Sequence, residues 1–243
     1  EKIGSIDNTI TTQPAYFGSS AFIDLIHSIQ LELTGADVSF SAPLSFNAKI
    51  EQGDIFISDM FNLYKYENLL YTMLLSGKEI KDFLEESYAG WTNQMQSADD
   101  HLLLITQRKD GNGYTFKNPS FNFDSAAGII YTVDVSKPKG EKISILKMAD
   151  GRPFEMDKQY KVAINSYRGN GGGDLLTKGA GIPLNQLSSR IIASTEKDLR
   201  YYLIQYVKSK GTISPKAMNQ WKMIPEEWVE KGKEKDSKLL FGK

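Results

Sequence analysis

Val162 to Leu176 reads VAINSYRGNGGGDLL. It opens as a strand, with Val162, Ile164 and Ser166 on one face and Ala163, Asn165 and Tyr167 on the other. It then becomes a loop made almost wholly of glycine and asparagine. Glycine reaches positive φ and lets a ligand come close to the backbone, at an entropic cost that an ordinary turn has little reason to carry. Tyr167 and Asp174 bracket the run. A ring to stack on, backbone N–H groups and one carboxylate suit the edge of a small-molecule site. A long hairpin turn, or a loop entering a helix capped by Asp174, fits the same local pattern. A phosphate loop is excluded because no Gly-Lys-Ser/Thr follows. Gly169-x-Gly171-x-x-Asp174 misses the dinucleotide fingerprint at its last position, and no clean βαβ unit follows it.

Composition narrows the function classes. The chain has 243 residues, 40% hydrophobic and 24% charged, with a formal charge of −1. That is a globular composition without the basic footprint of a nucleic-acid binder. No apolar run is long enough to span a membrane. There is no cysteine, and the two histidines, His27 and His101, lie on unrelated segments, which argues against a His-rich metal centre. Glu1 fits a processed product. Twelve Tyr, twelve Phe and three Trp supply a core and rings for stacking.

Outward from the glycine loop, the pattern alternates between helix and strand. Ser19 or Ser20 caps a helix to about Leu33 with Phe22, Ile26, Ile29 and Leu33 as its buried stripe, and Gly35 stops it. His27, at the edge of that stripe, reads as a packing or hydrogen-bonding residue. Ala36–Ala42 is a short strand, and Ser58 caps a brief helix. Leu69–Leu75 is a buried strand leading into the capping box Ser76-Gly-Lys-Glu79. Ile80, Phe83, Leu84 and Tyr88 line one face of the helix it opens. Asp99, Asp100 and His101 read as a solvated loop, and Leu102–Thr106 as a short strand. Ile143–Met148 and Tyr160–Ser166 are strands around a turn with Asp150-Gly151 as its hairpin signal. Leu187–Ala193 is a strand. Thr195-Glu-Lys-Asp198 caps the last clear helix, which Gly211 ends. Glu230–Lys243 reads as a frayed charged tail, with Leu239-Leu240-Phe241 able to dock.

The fold class is α+β: a single mixed domain over 1–243, with a core at about 16–211 and a charged extension at 212–243.

The order of these pieces resembles the C-terminal domain of the 5′-nucleotidase family, which includes UDP-sugar hydrolases and 2′,3′-cyclic-nucleotide phosphodiesterases. The resemblance rests on Gly53-Asp-Ile-Phe-Ile-Ser-Asp-Met-Phe-Asn62, Tyr66-Glu-Asn68, Ser76-Gly-Lys-Glu79, and Asn165-Ser-Tyr before the glycines and Asp174. It implies helices packed on short mixed sheets. It also implies that hydrolysis belongs to a separate metallophosphoesterase domain or subunit carrying a divalent metal pair, with no cofactor in this chain. The partners implied are a nucleoside or nucleotide and that catalytic domain, with export to the periplasm or cell surface. Tyr66 and Tyr167 correspond to the two rings that sandwich the base, and Asp174 to the carboxylate on the ribose hydroxyls. Asn165, Arg168, Asn170, Gly171, Gly172 and Gly173 complete the expected site.

Two stretches depart from the family pattern. Ser41-Ala-Pro-Leu-Ser-Phe46 stands where the family has Asn-Gly-Gly-Gly-(Ile/Val)-Arg, and Thr12-Gln-Pro-Ala-Tyr16 stands where arginines are expected. Neither Ser nor Phe replaces a bidentate guanidinium. Arg168 is the candidate substitute. The alternative reading is a non-catalytic ligand- or protein-binding module with a degenerate nucleotide pocket.

Overall fold

The computed structural model describes residues 1–242. Strands β1 (Lys2–Ile6) and β2 (Ile10–Thr11) precede helix α1 (Ala21–Thr34). Ser20 caps α1 by accepting from the Ile23 N–H, and Gly35 ends it at φ 60°. Phe22, Ile26 and Ile29 are buried, whereas Leu33, in the last turn one residue before Thr34, lies outside their cluster and is exposed.

Next come β3 (Val38–Ser41), β4 (Lys49–Ile50), β5 (Gly53–Phe56) and α2 (Ile57–Leu63). Helix α2 starts one residue before the expected Ser58 cap, because the Asp59 carboxylate accepts from the Phe56 N–H instead. Strand β6 (Leu69–Ser76) then runs into α3 (Gly77–Trp91). There the capping box closes in both directions: Ser76 Oγ accepts from Glu79 N at 3.1 Å, and Glu79 Oε2 accepts from Ser76 N at 2.7 Å.

The second half holds β7 (Ile105–Gln107), β8 (Tyr114–Phe116), β9 (Ser125–Ala127), β10 (Ile129–Asp134), β11 (Ile143–Met148) and β12 (Gln159–Asn165). The turns α4 (Ser166–Gly169) and α5 (Leu187–Arg190) precede β13 (Ile191–Asp198). Helix α6 (Leu199–Lys210), β14 (Thr212–Ile213), β15 (Trp221–Ile224) and α7 (Glu226–Phe241) follow.

A five-stranded mixed sheet, ordered β13-β6-β12-β3-β9, organises the chain. Its two faces pack on different cores. Val38, Phe40, Met73, Leu75, Val162 and Ile164 face α3, where the Phe40 and Phe83 rings stack with centroids 4.0 Å apart. Leu70 and Ala163 join α1 and α6 on the other face. In the antiparallel β12–β6 pair, Asn165 lies opposite Leu70. The chain leaving β12 and the chain entering β6 therefore emerge at one end of the sheet.

Four expectations fail for reasons of tertiary pairing. Asp150-Gly151 makes a turn but no β11–β12 hairpin, since β11 pairs with β10 and β12 joins the central sheet. The 102–106 strand shifts to Ile105–Gln107, while Leu102 and Leu103 are buried in the core. Leu187–Arg190 is a helical turn, and β13 begins only at Ile191. The C-terminal segment is not frayed. β14 and β15 extend two sheets, and α7 buries Leu240 and Asp236. Asp236 accepts from Leu103 N at 2.8 Å and sits 2.6 Å from His101 Nδ1. Phe241 lies against Tyr16 and Phe46. Apart from Asp236, the charges of α7 lie toward its outer face. Lys243 is outside the described residues.

Candidate functional site

The loop before β6 and the turn after β12 bring Tyr66 and Tyr167 to one cavity of about 170 Å³, lined also by Leu44, Asn68, Phe121 and Asn165. Both tyrosines remain substantially exposed, at 38% and 45%. Large rings left in solvent at the mouth of an apolar cavity are poised for a partner. Phe121 stands edge-on to Tyr167, with ring centroids 6.5 Å apart and planes at 84°. None of the six lining residues is charged.

Each side of the slot has its own local cause. Asn165 caps α4 by accepting from Arg168 N at 2.9 Å, which turns the chain sharply and presents Tyr167. Ser166 Oγ accepts from Leu69 N at 3.1 Å and ties that turn to the start of β6. On the other side, Asn68 donates to the Tyr64 hydroxyl at 3.3 Å, and its carbonyl accepts from Leu199 N at 2.8 Å. Tyr64 is buried, which pushes its pKa up to about 12. Arg200 donates to the carbonyls of Tyr64 and Lys65, at 3.5 and 3.3 Å, bracing the backbone just before Tyr66.

The glycine run has a packing role. A Cβ on Gly172 would fall 2.5 Å from the Tyr167 ring, and one on Gly173 would fall 2.1 Å from Arg168 Nη1. The glycines let the loop lie against the ring and the guanidinium, rather than opening backbone to a ligand in the slot.

Arg168 is not the replacement phosphate grip. It is 1% exposed. Its Nη1 donates to Asn122 Oδ1 at 3.0 Å and to the Gly172 carbonyl at 2.7 Å. Its Nη2 donates to the Phe121 carbonyl and to Asp124 Oδ2, both at 2.6 Å. Asp124 is equally buried. Burial raises its pKa, and the adjacent guanidinium opposes that rise.

The structure also separates residues that were expected together. Asp174 and Gly173 line a different, polar cavity of about 490 Å³ against α3, with Glu86, Lys139 and Lys178 at its rim. Asp174 has positive φ, 63°, and among the described residues its carboxylate accepts a side-chain hydrogen bond only from Thr177, at 3.5 Å. Asn170 reaches Tyr71 at 3.4 Å and does not line the slot; neither does Gly171. In place of the family's arginine, Phe46 turns into the core beside Tyr16, Phe116 and Phe241. Leu44, Asn68 and Phe121 were missed. Asn68 had a signal, two residues after Tyr66 in the Tyr66-Glu-Asn68 segment; Leu44 and Phe121 had none, since they arrive from separate loops.

His27 is wholly buried between Ser39 and Ser125, with its ring nitrogens 2.9 and 3.2 Å from their hydroxyls. Asp100 accepts from the Gln96 and Ser97 N–H groups within its own loop. Among the described residues, no group of three His, Cys, Asp or Glu side chains is placed to hold a metal ion. No described helix is long and apolar enough to cross a membrane.

Comparison with known proteins agrees with this architecture. The chain is 32% identical over 194 residues to the trifunctional nucleotide phosphoesterase protein YfkN of Bacillus subtilis, covering 74% of this chain and 12% of that protein. It is 31% identical over 199 residues to a 2′,3′-cyclic-nucleotide 2′-phosphodiesterase/3′-nucleotidase of Salmonella typhimurium, covering 75% and 28%. The chain thus spans only a minor part of these curated relatives. Its fold matches the 5′-nucleotidase precursor of Thermus thermophilus with a TM-score of 0.70 at 18% identity, over 93% of this chain and 40% of that one. It matches the NAD nucleotidase of Haemophilus influenzae with a TM-score of 0.61 at 18% identity, over 92% and 38%. The family described as 5′-nucleotidase, C-terminal domain, matches residues 2–178, and this chain belongs to it.

Proposed function

We propose that this chain is the nucleoside-recognition part of a nucleotide phosphoesterase, holding the base between Tyr66 and Tyr167 while a separate domain or subunit with a divalent metal pair performs hydrolysis. The observation that carries the reading is the pair of exposed tyrosine rings on two converging loops, with Phe121 as a third aromatic wall and two asparagine amides at the edge. The activities that the two curated relatives are named for, both phosphoesterases of nucleotides, support the substrate class. The cavity of about 170 Å³ is smaller than the roughly 300–1,000 Å³ of drug-sized pockets, so it suits a ring system rather than a whole nucleotide. Stacking on each ring contributes about 1–3 kcal/mol by analogy with single-strand binders.

The uncharged lining sets how the phosphate is treated. Arg168 is buried, gives all four Nη hydrogens to the protein and does not line the slot, so phosphate recognition falls to the metal-bearing partner. A second reading, a ligand- or protein-binding module that has lost phosphate chemistry, draws on the same absence of charge.

Calorimetric titration with adenosine, AMP and UDP-glucose tests the proposal. Adenosine and AMP should bind with similar affinity, and Tyr66→Ala or Tyr167→Ala should each weaken binding by about 1–3 kcal/mol. Absence of binding both alone and with the metallophosphoesterase domain added would sink the enzyme-part reading and favour the module.

A further inference from the structure

Arg168 gathers one whole side of the slot. Of the residues on that side, Phe121 gives it a carbonyl, Asn165 caps its N–H, and Tyr167 lies with its ring centroid 5.4 Å from the guanidinium carbon. Gly172, packed under the Tyr167 ring, also gives it a carbonyl. All four Nη hydrogens are used. An arginine and a carboxylate left to themselves prefer a side-by-side fork with two parallel bonds. Here that fork is not made. Arg168 Nε and Asp124 Oδ1 are both buried without a partner among the described residues. The guanidinium is instead turned so that three of its four Nη bonds go to Phe121, Asn122 and Gly172. An ion pair serving core stability alone would satisfy its own orphan atoms first. Gly173 keeps the space open, because any Cβ there would strike the guanidinium and Asn122 together.

We propose that Arg168 and Asp124 are positioning residues, a buried pair that touches no ligand and fixes where Tyr167 and Phe121 stand. For its effect on affinity the inference rests on the nucleoside reading; for ring placement it stands alone.

The test is the double variant Asp124→Leu/Arg168→Met in this chain. Replacing a buried ion pair by apolar residues of similar volume usually keeps a fold. Two readouts are taken: ring-to-ring nuclear Overhauser contacts between Phe121 and Tyr167 without ligand, and calorimetric affinity for adenosine. The expected result is a Tm near that of the wild type, loss of the ring contacts, and at least tenfold weaker adenosine binding. Arg168→Lys, which keeps the charge without the planar fork, should show the same loss. Retained ring contacts in the double variant would overturn the proposal. Should the double variant fail to fold, Gly173→Ala displaces the guanidinium from the loop side. Lost ring contacts there support the pair's role, and unchanged contacts overturn it. Wild-type chain that binds no adenosine, alone or with the metallophosphoesterase domain added, yet loses its ring contacts in the variants, would remove the nucleoside reading and leave the positioning role standing.

Discussion

The two sides of the slot are each braced by an arginine, and the two braces differ in kind. Arg168 is buried against an equally buried Asp124 and holds Phe121, Gly172 and Asn122. Arg200 is 9% exposed at its side chain, stacks its guanidinium 4.0 Å from the Phe61 centroid, and pairs at 3.2 Å with Glu67, whose side chain is 79% exposed. One arm is locked by charges that have left water. The other is held by backbone carbonyls, a ring face and an ion pair that solvent screens. Desolvation makes the first arm dear to disturb and the second cheap. The Tyr167 side is therefore the costlier of the two to displace, and the Tyr66 side the less costly.

Breaking the locked arm should have the largest effect. Asp124→Ala leaves a buried guanidinium uncompensated and should lower stability by about 3–5 kcal/mol in denaturant unfolding. The double variant described above should recover most of that loss, and failure to recover it would show that the loop bonds, not the charge, dominate. The rings come next. Tyr66→Ala and Tyr167→Ala should each weaken nucleoside binding by about 1–3 kcal/mol. Both side chains are partly exposed, so unfolding midpoints should shift less than for Asp124→Ala. Arg200→Ala should cost about 1–2 kcal/mol through its carbonyl bonds and its stack on Phe61. Glu67→Ala should cost at most about 1 kcal/mol and become silent at high salt. A Glu67 effect as large as that of Asp124 would erase the contrast between the arms.

Proton binding offers a graded way to load the locked arm. His27 Nε2 contacts Ser125, the residue after Asp124. Burial pushes the His27 pKa from 6.5 down to about 3. The folded state keeps the ring neutral while the unfolded chain takes up a proton below pH 6.5, so stability falls as pH falls between those values. The slope is about 1.4 kcal/mol per pH unit from this group. Comparing Tm at pH 7 and pH 5 for the wild type and His27→Gln checks this. The variant should lose the His27 part of the slope, and equal slopes would show that His27 does not carry it.

Local signals in the sequence specified much of this molecule. Ser20 and Gly35 bound α1, and Ser76 with Glu79 opens α3, because caps are chemistry between neighbours three or four residues apart. The continuous apolar run Leu69–Leu75 announced a strand buried on both faces. Tyr66 and Tyr167 were legible as a pair only through the family pattern, and the structure brings both to one cavity. Tertiary structure alone decided what no local rule reaches. It sent β11 and β12 to different sheets despite the Asp150-Gly151 turn, since register in a buried sheet is set by which face meets the core. It drew the charged C-terminal segment into α7, through a buried aspartate whose partners lie more than a hundred residues away. It turned Arg168 inward, because Asp124 is the acceptor that can hold a guanidinium out of water, and nothing near Arg168 in the chain names that partner.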